Sequence, residues 1–558
     1  MSKADLLSKE AFRTSDSNQR RGKHATLGKD ATNKREKRAC VRSQPSPLDG
    51  AITSIKPLFE EMRQKSTSKE RKQILIDEVL KKLEHSLVWC ARRHDAARVV
   101  EIALKHGSSE QRGRIWSALT LELARLVETR YGQHVIRALV QYGTGAQRRA
   151  LISSLRESLV RLATTQDGAN IVDYVYQSVA NGQERRSLLL SLLVHRDRGL
   201  RKMLAKRLEQ PADLNGNALD WLLGMLEQPF HRRLIECCRQ QLEQVYDKPR
   251  VLSNALVHEF LWTMLSSERL EPREKREIGQ EFASRALYLY HTNSGSAALI
   301  LLIQMGDTKW RKECVKAFRE VLPEVWNSKY GHRVILALFT WTDDTVMLSK
   351  GLVRPLLPKL GQIFSSTTSN TITPLVHAHV PFLYLLAGET TRYFHPTSYN
   401  CVWSPQLVSV ETVAPKKESL LRRQEVLESI SEALFELALA HGAALLCDCR
   451  ASPRLGTLFV ELCLYWDRQS QSERISRALS NVMNEASWEA LEARDIRQQN
   501  ELFHQLNILG KLLPDTVATC MKAFEPRLAR LAAEHERAEQ LYELLKNHEI
   551  VQVGHSSK

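Results

Sequence analysis

Pairs of polar and basic residues recur along the first third of the chain, at a spacing of about 36 residues. They are Gln111-Arg112, Gln147-Arg148-Arg149 and Glu184-Arg185-Arg186. A guanidinium group binds phosphate oxygens through two parallel hydrogen bonds, and each phosphate it neutralises releases counterions. The recurrence therefore predicts that these side chains bind the phosphate backbone of a long polyanion. Any one of the arginines could instead be a solvated surface residue or a helix cap.

The charge of the chain favours the same kind of partner. Its 558 residues carry a formal net charge of +16, with an isoelectric point near 9.4. Residues 81–210 hold 23 Lys and Arg against 12 Asp and Glu, whereas residues 421–558 hold 16 against 20. We expect the basic region to attract an anion such as nucleic acid, and the acidic region to contact proteins or another part of the chain. A merely solvated arginine-rich surface is the alternative.

A helical motif precedes each basic pair. A small residue (Ala96, Gly132 or Gly168) opens a run of β-branched and other apolar residues, and Gly295 and Gly331 open two more, again 36 residues apart. Such a period is typical of a solenoid. Apolar residues at helical spacing with scarce Gly and Pro predict an all-α fold. Looser equivalents near Asn215 and Ser253 stretch the period, which predicts a longer loop or an extra helix around residues 195–226.

No catalytic signature accompanies the motif. The sequence contains no phosphate-binding glycine loop, no HExxH and no GxSxG, so we expect no enzyme activity, cofactor or metal. The ten cysteines lack paired CxxC spacing, which favours free thiols in a reducing compartment. No apolar run is long enough to span a bilayer. We therefore expect no membrane association, and a monomer.

Composition divides the chain into five parts. Residues 1–54 form a basic, polar arm that we expect to be disordered. Helical repeats are predicted over 55–390, an irregular aromatic and proline-containing loop over 391–418, further helical repeats over 419–548, and a frayed tail over 549–558.

Two basic clusters in the arm resemble a bipartite nuclear-import signal, which an import carrier would bind through acidic pockets. Their residues are Arg20, Arg21, Lys23, Lys34, Arg35, Lys37 and Arg38. A basic tail that holds RNA is the alternative. Scattered acidic residues in the arm argue against a mitochondrial presequence.

The repeat segments resemble Pumilio repeats. The resemblance rests on Ala97-RVVEIALKHG, Tyr131-GQHVIRALVQYG and Tyr330-GHRVILALF. The chain is similar to the Puf-A-like, nucleolar branch of that family over roughly residues 55–545. This similarity rests on the order of three further segments: Asp167-GANIVDYVY, Ser253-NALVHEFL and the block that begins at Arg422. The resemblance implies an α-solenoid superhelix of Pumilio-like repeats, with the period of about 36 residues. It also implies a non-catalytic RNA-binding protein of the nucleus and nucleolus that serves ribosomal RNA processing and large-subunit assembly beside other assembly proteins.

Family positions that read bases fall on three residues in each repeat. They are Ala97, Arg98 and Glu101; Gln133, His134 and Arg137; Ala169, Asn170 and Asp173; Ser296, Ala297 and Ile300; and His332, Arg333 and Leu336. Ala, Ile and Leu cannot form hydrogen bonds with a base edge, so a code of one base per repeat is not expected here. We therefore predict that structured RNA is bound by charge and shape.

The predicted RNA-binding residues combine these positions with the basic pairs and their neighbours. They are Arg92, Arg93, Arg98, Arg130, Gln133, His134, Arg137, Arg148, Arg149, Asn170, Arg185, Arg186, Arg201, Lys202, Lys206, Arg207, Lys329, His332 and Arg333. Two alternatives stay open: a sequence-specific regulator of messenger RNA, and a protein-binding scaffold of the armadillo or HEAT type.

Overall fold

The computed structural model describes residues 49–194, 196–208, 216–361, 377–404, 412–448, 453–484 and 494–556. These residues are largely helical, and none of them lies in a β-strand. The residues of the predicted import signal lie outside the described ranges. The chain divides into two compact units, one of residues up to Glu122 together with His134–Gly143 and one of Leu123–Gln133 together with Thr144 onward.

The first unit begins with five helices. They are α1 (Asp49–Arg63), α2 (Lys69–Lys82), α3 (Leu87–Arg92), α4 (His94–His106) and α5 (Ser109–Leu119). Helix α4 contains the first repeat motif and buries Val99, Val100, Ala103 and Leu104, which lie on one side of the helix. Helix α1 begins at residue 49, within the segment predicted as a disordered arm.

The second unit continues the repeats. Its helices as far as residue 348, one of which (α7) ends in the first unit, are α6 (Leu123–Val127), α7 (Gly132–Tyr142), α8 (Gly145–Glu157), α9 (Leu159–Thr164), α10 (Gln166–Ser178), α11 (Gly182–Val194), α12 (Arg198–Leu208), α13 (Ala218–Gly224), α14 (Gln228–Tyr246), α15 (Pro249–Leu252), α16 (Ala255–Leu265), α17 (Pro272–Phe282), α18 (Asn293–Met305), α19 (Thr308–Phe318), α20 (Leu322–Asn327), α21 (Gly331–Trp341) and α22 (Thr345–Leu348). A 3₁₀ helix, Ala283–Tyr288, precedes α18, and a π-helix, Ser349–Val353, follows α22.

Each regular repeat has three parts: a short helix, a motif helix and an outer helix. Helices α9, α10 and α11 are one such set, and α20, α21 and α22 are another. The β-branched residues of the motif form the core, where Ile171, Val172, Val334 and Ile335 are at most 2% exposed. This arrangement confirms the predicted all-α solenoid of Pumilio-like repeats.

The stretch in the period is an insertion of helices. Helices α12 and α14 both pack on the outer helix α11, while motif helix α10 packs directly on α15 and α16. The Asn254 amide donates a hydrogen bond to the Ala169 carbonyl oxygen (2.9 Å). Helix α16 thus occupies the face of α10 on which the next repeat packs. The segment near Asn215, predicted as a repeat equivalent, therefore does not form a repeat between the Gly168 repeat and the Ser253 repeat.

The C-terminal part is also helical. Its helices are α23 (Val380–Ala387), α24 (Pro396–Trp403), α25 (Ser419–Glu428), α26 (Ser431–Cys447), α27 (Leu455–Arg468), α28 (Ser472–Val482), α29 (Ile496–Leu512), α30 (Pro514–Met521), α31 (Glu525–Ala532) and α32 (Glu536–Ser556). Helix α24 lies within the segment predicted as an irregular loop, and α32 extends into the predicted frayed tail.

No single described helix is both long and apolar enough to cross a bilayer; α25 and α26, bent by 65° at their junction, meet that test only as a pair, by length and composition alone. The eight cysteines among the described residues are free thiols, and five of them are buried.

Candidate nucleic-acid interface

Four motif helices have a hydroxyl side chain three residues before the motif glycine. In each case that oxygen accepts a hydrogen bond from the glycine N–H: Thr129 from Gly132 (3.2 Å), Thr165 from Gly168 (3.3 Å), Thr292 from Gly295 (3.0 Å) and Ser328 from Gly331 (3.2 Å). A hydroxyl at this place satisfies one of the free N–H groups at a helix start. Helical spacing alone does not predict this Ser/Thr-x-x-Gly pattern, although the residues that form it are adjacent in sequence and could have been found there.

The motif glycine allows two helices to approach closely. A Cβ atom added at Gly168 would lie 2.5 Å from the Leu162 carbonyl oxygen, and one at Gly331 would lie 2.5 Å from the Val325 carbonyl oxygen. In both repeats the motif helix therefore starts against the last turn of the short helix before it. This contact fixes which side chains of the motif helix point away from the core.

The second motif position is accessible in the first three repeats. Arg98, His134 and Asn170 are all exposed, while Ala97 and Ala169, at the first position, are buried. A cation, an imidazole and an amide at this place can each donate a hydrogen bond to a phosphate oxygen. The predicted residues Arg98, His134 and Asn170 therefore have the accessibility that an RNA contact requires.

The fifth motif position is only half-accessible. Burial raises the pKa of Glu101, against the lowering effect of His134 and Arg98, and Arg137 is half-buried. The Asp173 carboxylate accepts hydrogen bonds from the backbone N–H of Ala255 (2.7 Å) and from the Gln177 amide (2.9 Å). Asp173 therefore holds α16 against α10, which is a structural task.

Later repeats bury the same motif positions. Ser296 and Ile300 are fully buried, and His332 and Arg333 are 7% and 4% exposed. The Arg333 guanidinium donates hydrogen bonds to the Asn293 side-chain oxygen (2.9 Å) and the Ser296 hydroxyl (2.5 Å). His332 stacks on His377, with ring centroids 4.8 Å apart. The prediction that His332 and Arg333 contact RNA does not fit this packing, because both side chains are enclosed by protein.

A segment of the chain itself covers these later repeats. We define the covering segment as residues 377–404 and 412–418. The Val402 carbonyl oxygen accepts hydrogen bonds from the Gln304 amide (3.1 Å) and the Trp341 indole (3.0 Å). The Trp403 indole donates to the Thr340 hydroxyl (3.0 Å). Gln304 and Thr340 lie one turn beyond Ile300 and Leu336 on their helices, so the covering segment lies against the motif side of α18 and α21.

The recurring basic pairs are in large part a folding device. Gln111 and Gln147 close capping boxes with Ser108 and Thr144 at the starts of α5 and α8, and Glu184 and Asn181 exchange the equivalent hydrogen bonds at the start of α11. The residue that follows in each case is an arginine. The period of the polar and basic pairs is thus the period of the outer-helix starts.

Two of those arginines cap the preceding motif helix. The Arg112 guanidinium donates to the carbonyl oxygens of Leu104 (2.8 Å) and Lys105 (3.1 Å). Arg185 donates in the same way to Tyr176 and Gln177 (both 2.8 Å). These carbonyls have no partner within their own helix, and a cation at a helix C-terminus also meets a favourable dipole. The predicted role of Arg185 in RNA binding is therefore secondary to its capping role.

Some of the remaining RNA-binding candidates already form ion pairs or hydrogen bonds within the protein. Arg92 pairs with Glu122 (2.7 Å), Arg93 pairs with Asp95 (3.3 Å), and Arg186 donates to the Gly216 carbonyl oxygen (3.2 Å). Exposed candidates are Arg130, Arg148, Arg149, Arg201, Lys202 and Lys329, and Gln133 is half-buried. Lys206 and Arg207 belong to α12, but their side chains lie outside the described part of the chain.

The inserted helices add cations outside the repeats. Arg201 and Lys202 are exposed on α12, and Arg232, which is absent from the predicted RNA-binding residues, is exposed on α14. Asp197 accepts hydrogen bonds from the N–H groups of Gly199 (2.7 Å) and Leu200 (3.0 Å) and pairs with Arg233, which connects the start of α12 to α14. Arg232 lies outside the repeat motif, so the spacing of the motif gives no signal for it.

The described residues hold no cluster of three or more His, Cys, Asp or Glu side chains that could bind a metal ion. The motif helices and the inserted helices expose cations and amides, among them Arg98, Asn170, Arg201 and Arg232. Such groups can bind phosphate oxygens.

Comparison with known proteins places this geometry among Pumilio-type folds. A model of the CPL (NUC119) domain matches residues 376–513. Pumilio homolog 3 of Rattus norvegicus is 23% identical over 397 residues, which cover 71% of this chain and 57% of that protein. Pumilio homology domain family member 6 of Schizosaccharomyces pombe is 24% identical over 507 residues, which cover 84% of this chain and 72% of that protein. The match therefore spans little more than half of the length of the rat relative.

Two solved structures have the same fold. The crystal structure of human Puf-A superposes with a TM-score of 0.65 at 20% identity, covering 89% of this chain and 99% of that one. Human Puf-A in complex with DNA gives a TM-score of 0.65 at 21% identity, covering 90% and 97%. These matches confirm the predicted resemblance to the Puf-A-like branch of the Pumilio-repeat proteins.

Proposed function

We propose that this chain, which has the Puf-A-like Pumilio-repeat architecture, is a non-catalytic RNA-binding protein that binds structured or duplex RNA through backbone phosphates. One observation carries the proposal. The motif positions that remain accessible hold Arg98, His134 and Asn170, whereas the equivalent positions of the later repeats are enclosed. Three isolated positions do not constitute a base-by-base code, but they suit phosphate contacts that are blind to sequence.

The surrounding charge supports binding through phosphates. Arg130, which precedes motif helix α7, and Arg149, on α8, are exposed, as are Arg201, Lys202 and Arg232 on the inserted helices. Each cation that meets a phosphate releases condensed counterions, so the affinity should fall steeply as salt rises. The crystal structure of human Puf-A with DNA is that of a protein with the same fold bound to nucleic acid.

The finer part of the proposal concerns place and process. We propose a nuclear, mainly nucleolar, protein that acts on precursor ribosomal RNA during large-subunit assembly, alongside other assembly proteins. An import carrier would bind the basic clusters between Arg20 and Arg38. This part of the proposal is supported by the resemblance to the Puf-A-like branch and by the basic arm.

A salt series on the full chain tests the proposal. Binding to a structured ribosomal RNA fragment, a 20-base-pair duplex and a scrambled single strand is measured between 50 and 300 mM salt. We expect comparable affinities for the structured RNA and the duplex, with a steep salt dependence. A strong preference for one short single-stranded sequence would favour a messenger-RNA regulator, and no binding at moderate salt would favour a protein-binding scaffold.

A further inference from the structure

A cleft near the C-terminal end of the second unit has no part in the proposed RNA contacts. Its volume is about 660 Å³, and it lies between the first turns of α29, the start of α32 and Arg454, the residue before α27. The Asp495 carboxylate caps α29 by accepting a hydrogen bond from the Arg497 N–H (2.6 Å). The Arg537 guanidinium donates to the Asn500 carbonyl oxygen (3.0 Å), which connects α32 to α29. The walls of the cleft are therefore held in place.

The cleft contains one ion pair that is already satisfied. Glu501 is 2% exposed and pairs with Arg454. The Gln505 amide donates a hydrogen bond to the second oxygen of the same carboxylate (2.8 Å). A buried carboxylate needs such partners because it has lost its hydration. Arg454 and Glu501 therefore line the cleft as a pair whose charges offset each other.

Two side chains at the mouth of the cleft remain available. Ile496 is 63% exposed, so its aliphatic side chain is open to a ligand. Arg497 is also exposed, and its guanidinium forms no ion pair with any residue that the structure describes. An apolar surface and a cation thus lie side by side at the mouth of a preformed cleft.

The opposite rim limits which ligand can enter. Glu534 and Glu536 line the cleft and are exposed. His535 and Arg537 lie beside them, and the Arg537 guanidinium already donates to the Asn500 carbonyl oxygen. A nucleic acid places a negative charge at every residue of its backbone, so it would meet these two carboxylates with like charge. A peptide has a neutral backbone and can place a single acidic side chain at Arg497.

We propose that this cleft binds an extended peptide segment of a partner protein, in which an acidic side chain lies next to a large aliphatic one. The acidic group pairs with Arg497, the aliphatic group packs on Ile496, and the peptide backbone passes between the α29 and α32 walls. Anchors of this kind, an arginine beside an apolar contact in a partly desolvated pocket, carry much of the affinity of protein interfaces.

Peptide binding to the full chain tests the proposal. The probes are fluorescein-labelled nine-residue Gly/Ser peptides with Leu-Asp, Leu-Lys or Ser-Asp at the centre, measured by fluorescence polarisation. We expect the wild-type chain to bind Leu-Asp about tenfold more tightly than Leu-Lys. Arg497→Glu should reverse that order, and Ile496→Ser should remove the advantage of Leu-Asp over Ser-Asp. Lys511→Glu makes the same charge change on the same helix, outside the cleft, and should leave the order unchanged.

Three results would overturn the proposal. One is that the wild-type chain does not discriminate among the peptides, and another is that Arg497→Glu keeps the wild-type order. The third is that Arg497→Glu weakens binding of a 20-base-pair RNA duplex as strongly as it weakens binding of Leu-Asp, which would make the cleft a phosphate site. Since Ile496 and Arg497 are exposed, both variants should unfold at the wild-type temperature. The RNA measurement on the same samples separates failure of this proposal from failure of the RNA-binding proposal.

Discussion

The early and the late motif helices have the same sequence pattern but differ in what they expose. Arg98, His134 and Asn170 on α4, α7 and α10 are exposed, whereas Ala297 and Arg333, at the same motif position on α18 and α21, are 8% and 4% exposed. The motif therefore determines how the backbone is built. The protein segments that pack against a motif helix determine whether its side chains are accessible to a ligand.

The covering segment accounts for the difference. Its backbone and indole groups form hydrogen bonds with Gln304, Thr340 and Trp341, and Trp403 packs among aromatic rings, with Phe394 at 4.9 Å and Tyr399 at 5.2 Å. Apolar contacts and satisfied polar groups in this region favour a stable core over a binding surface. The late motif helices are thus enclosed by protein, whereas the early ones keep accessible polar side chains.

The largest expected effect is the response of the second unit to acid. Burial lowers the pKa of His258 and of His332 to about 3, and that of His379 to about 4. An unfolded histidine has a pKa near 6.5. Between pH 6.5 and about 4 the unfolded chain therefore binds protons that the folded chain does not, and stability falls as the pH falls.

At pH 5 each of these three histidines should cost about 2 kcal/mol of unfolding free energy relative to pH 7.5. Urea unfolding at the two pH values measures the loss. His332→Asn, which keeps a donor for the Ser328 carbonyl oxygen at the place of Nδ1, should recover about a third of it. An unfolding midpoint that does not change between pH 7.5 and 5 would mean that these side chains are hydrated.

Trp403→Ala should weaken the packing of the covering segment on the late motif helices. Trp403 stacks on Tyr384 with centroids 5.6 Å apart as well as donating to Thr340, so its loss should destabilise the late repeats by about 3 kcal/mol. Amide hydrogen exchange should quicken in 331–341 and stay unchanged in 166–178. Equal acceleration in both segments would show that the early and late repeats do not differ in this way.

Arg333→Ala and Arg98→Ala compare one motif position in two repeats. Arg333→Ala leaves Asn293 and Ser296 without their donor and should cost about 2 kcal/mol of stability, with unchanged RNA affinity. Arg98→Ala should leave the unfolding midpoint unchanged and weaken RNA binding. Thermal unfolding and duplex-RNA binding on both variants measure the two effects, and the opposite assignment would contradict the account.

The smallest expected effect is that of one exposed cation on RNA affinity. Arg98→Glu and Arg149→Glu should each weaken duplex binding by about fivefold to tenfold and lower the salt slope by about one. Lys511→Glu is the control for net charge, and it should change the affinity by less than twofold. If all three variants behaved alike, the affinity would depend on net charge rather than on these surfaces.

Much of the fold could be predicted from sequence because it depends on local patterns. The period around Gly132, Gly168 and Gly331 predicted the solenoid, and the close contacts of those glycines show why a small residue is required there. Accessibility could not be predicted in the same way. The burial of Arg333 depends on Asn293 and Ser296, and on a covering segment that begins more than forty residues further along the chain.

The basic pairs show a second limit. Their spacing predicts a set of phosphate contacts, yet Arg112 and Arg185 cap helix carbonyls. A period in the sequence reflects the period of the fold, so residues that build each repeat recur as regularly as residues that bind a ligand. Arg98, Asn170 and Arg185 are all exposed, but the Arg185 guanidinium already donates to the Tyr176 and Gln177 carbonyl oxygens, which only the structure could show.

Hydrogen exchange of the full chain with and without a 20-base-pair RNA duplex tests the central claim most directly. We expect RNA to slow exchange in α4, α7 and α10 (residues 94–106, 132–142 and 166–178), and to leave α18 and α21 (residues 293–305 and 331–341) unchanged. Protection of the late motif helices comparable to that of the early ones would contradict the account, because it would mean that RNA reaches the surface that the covering segment occupies.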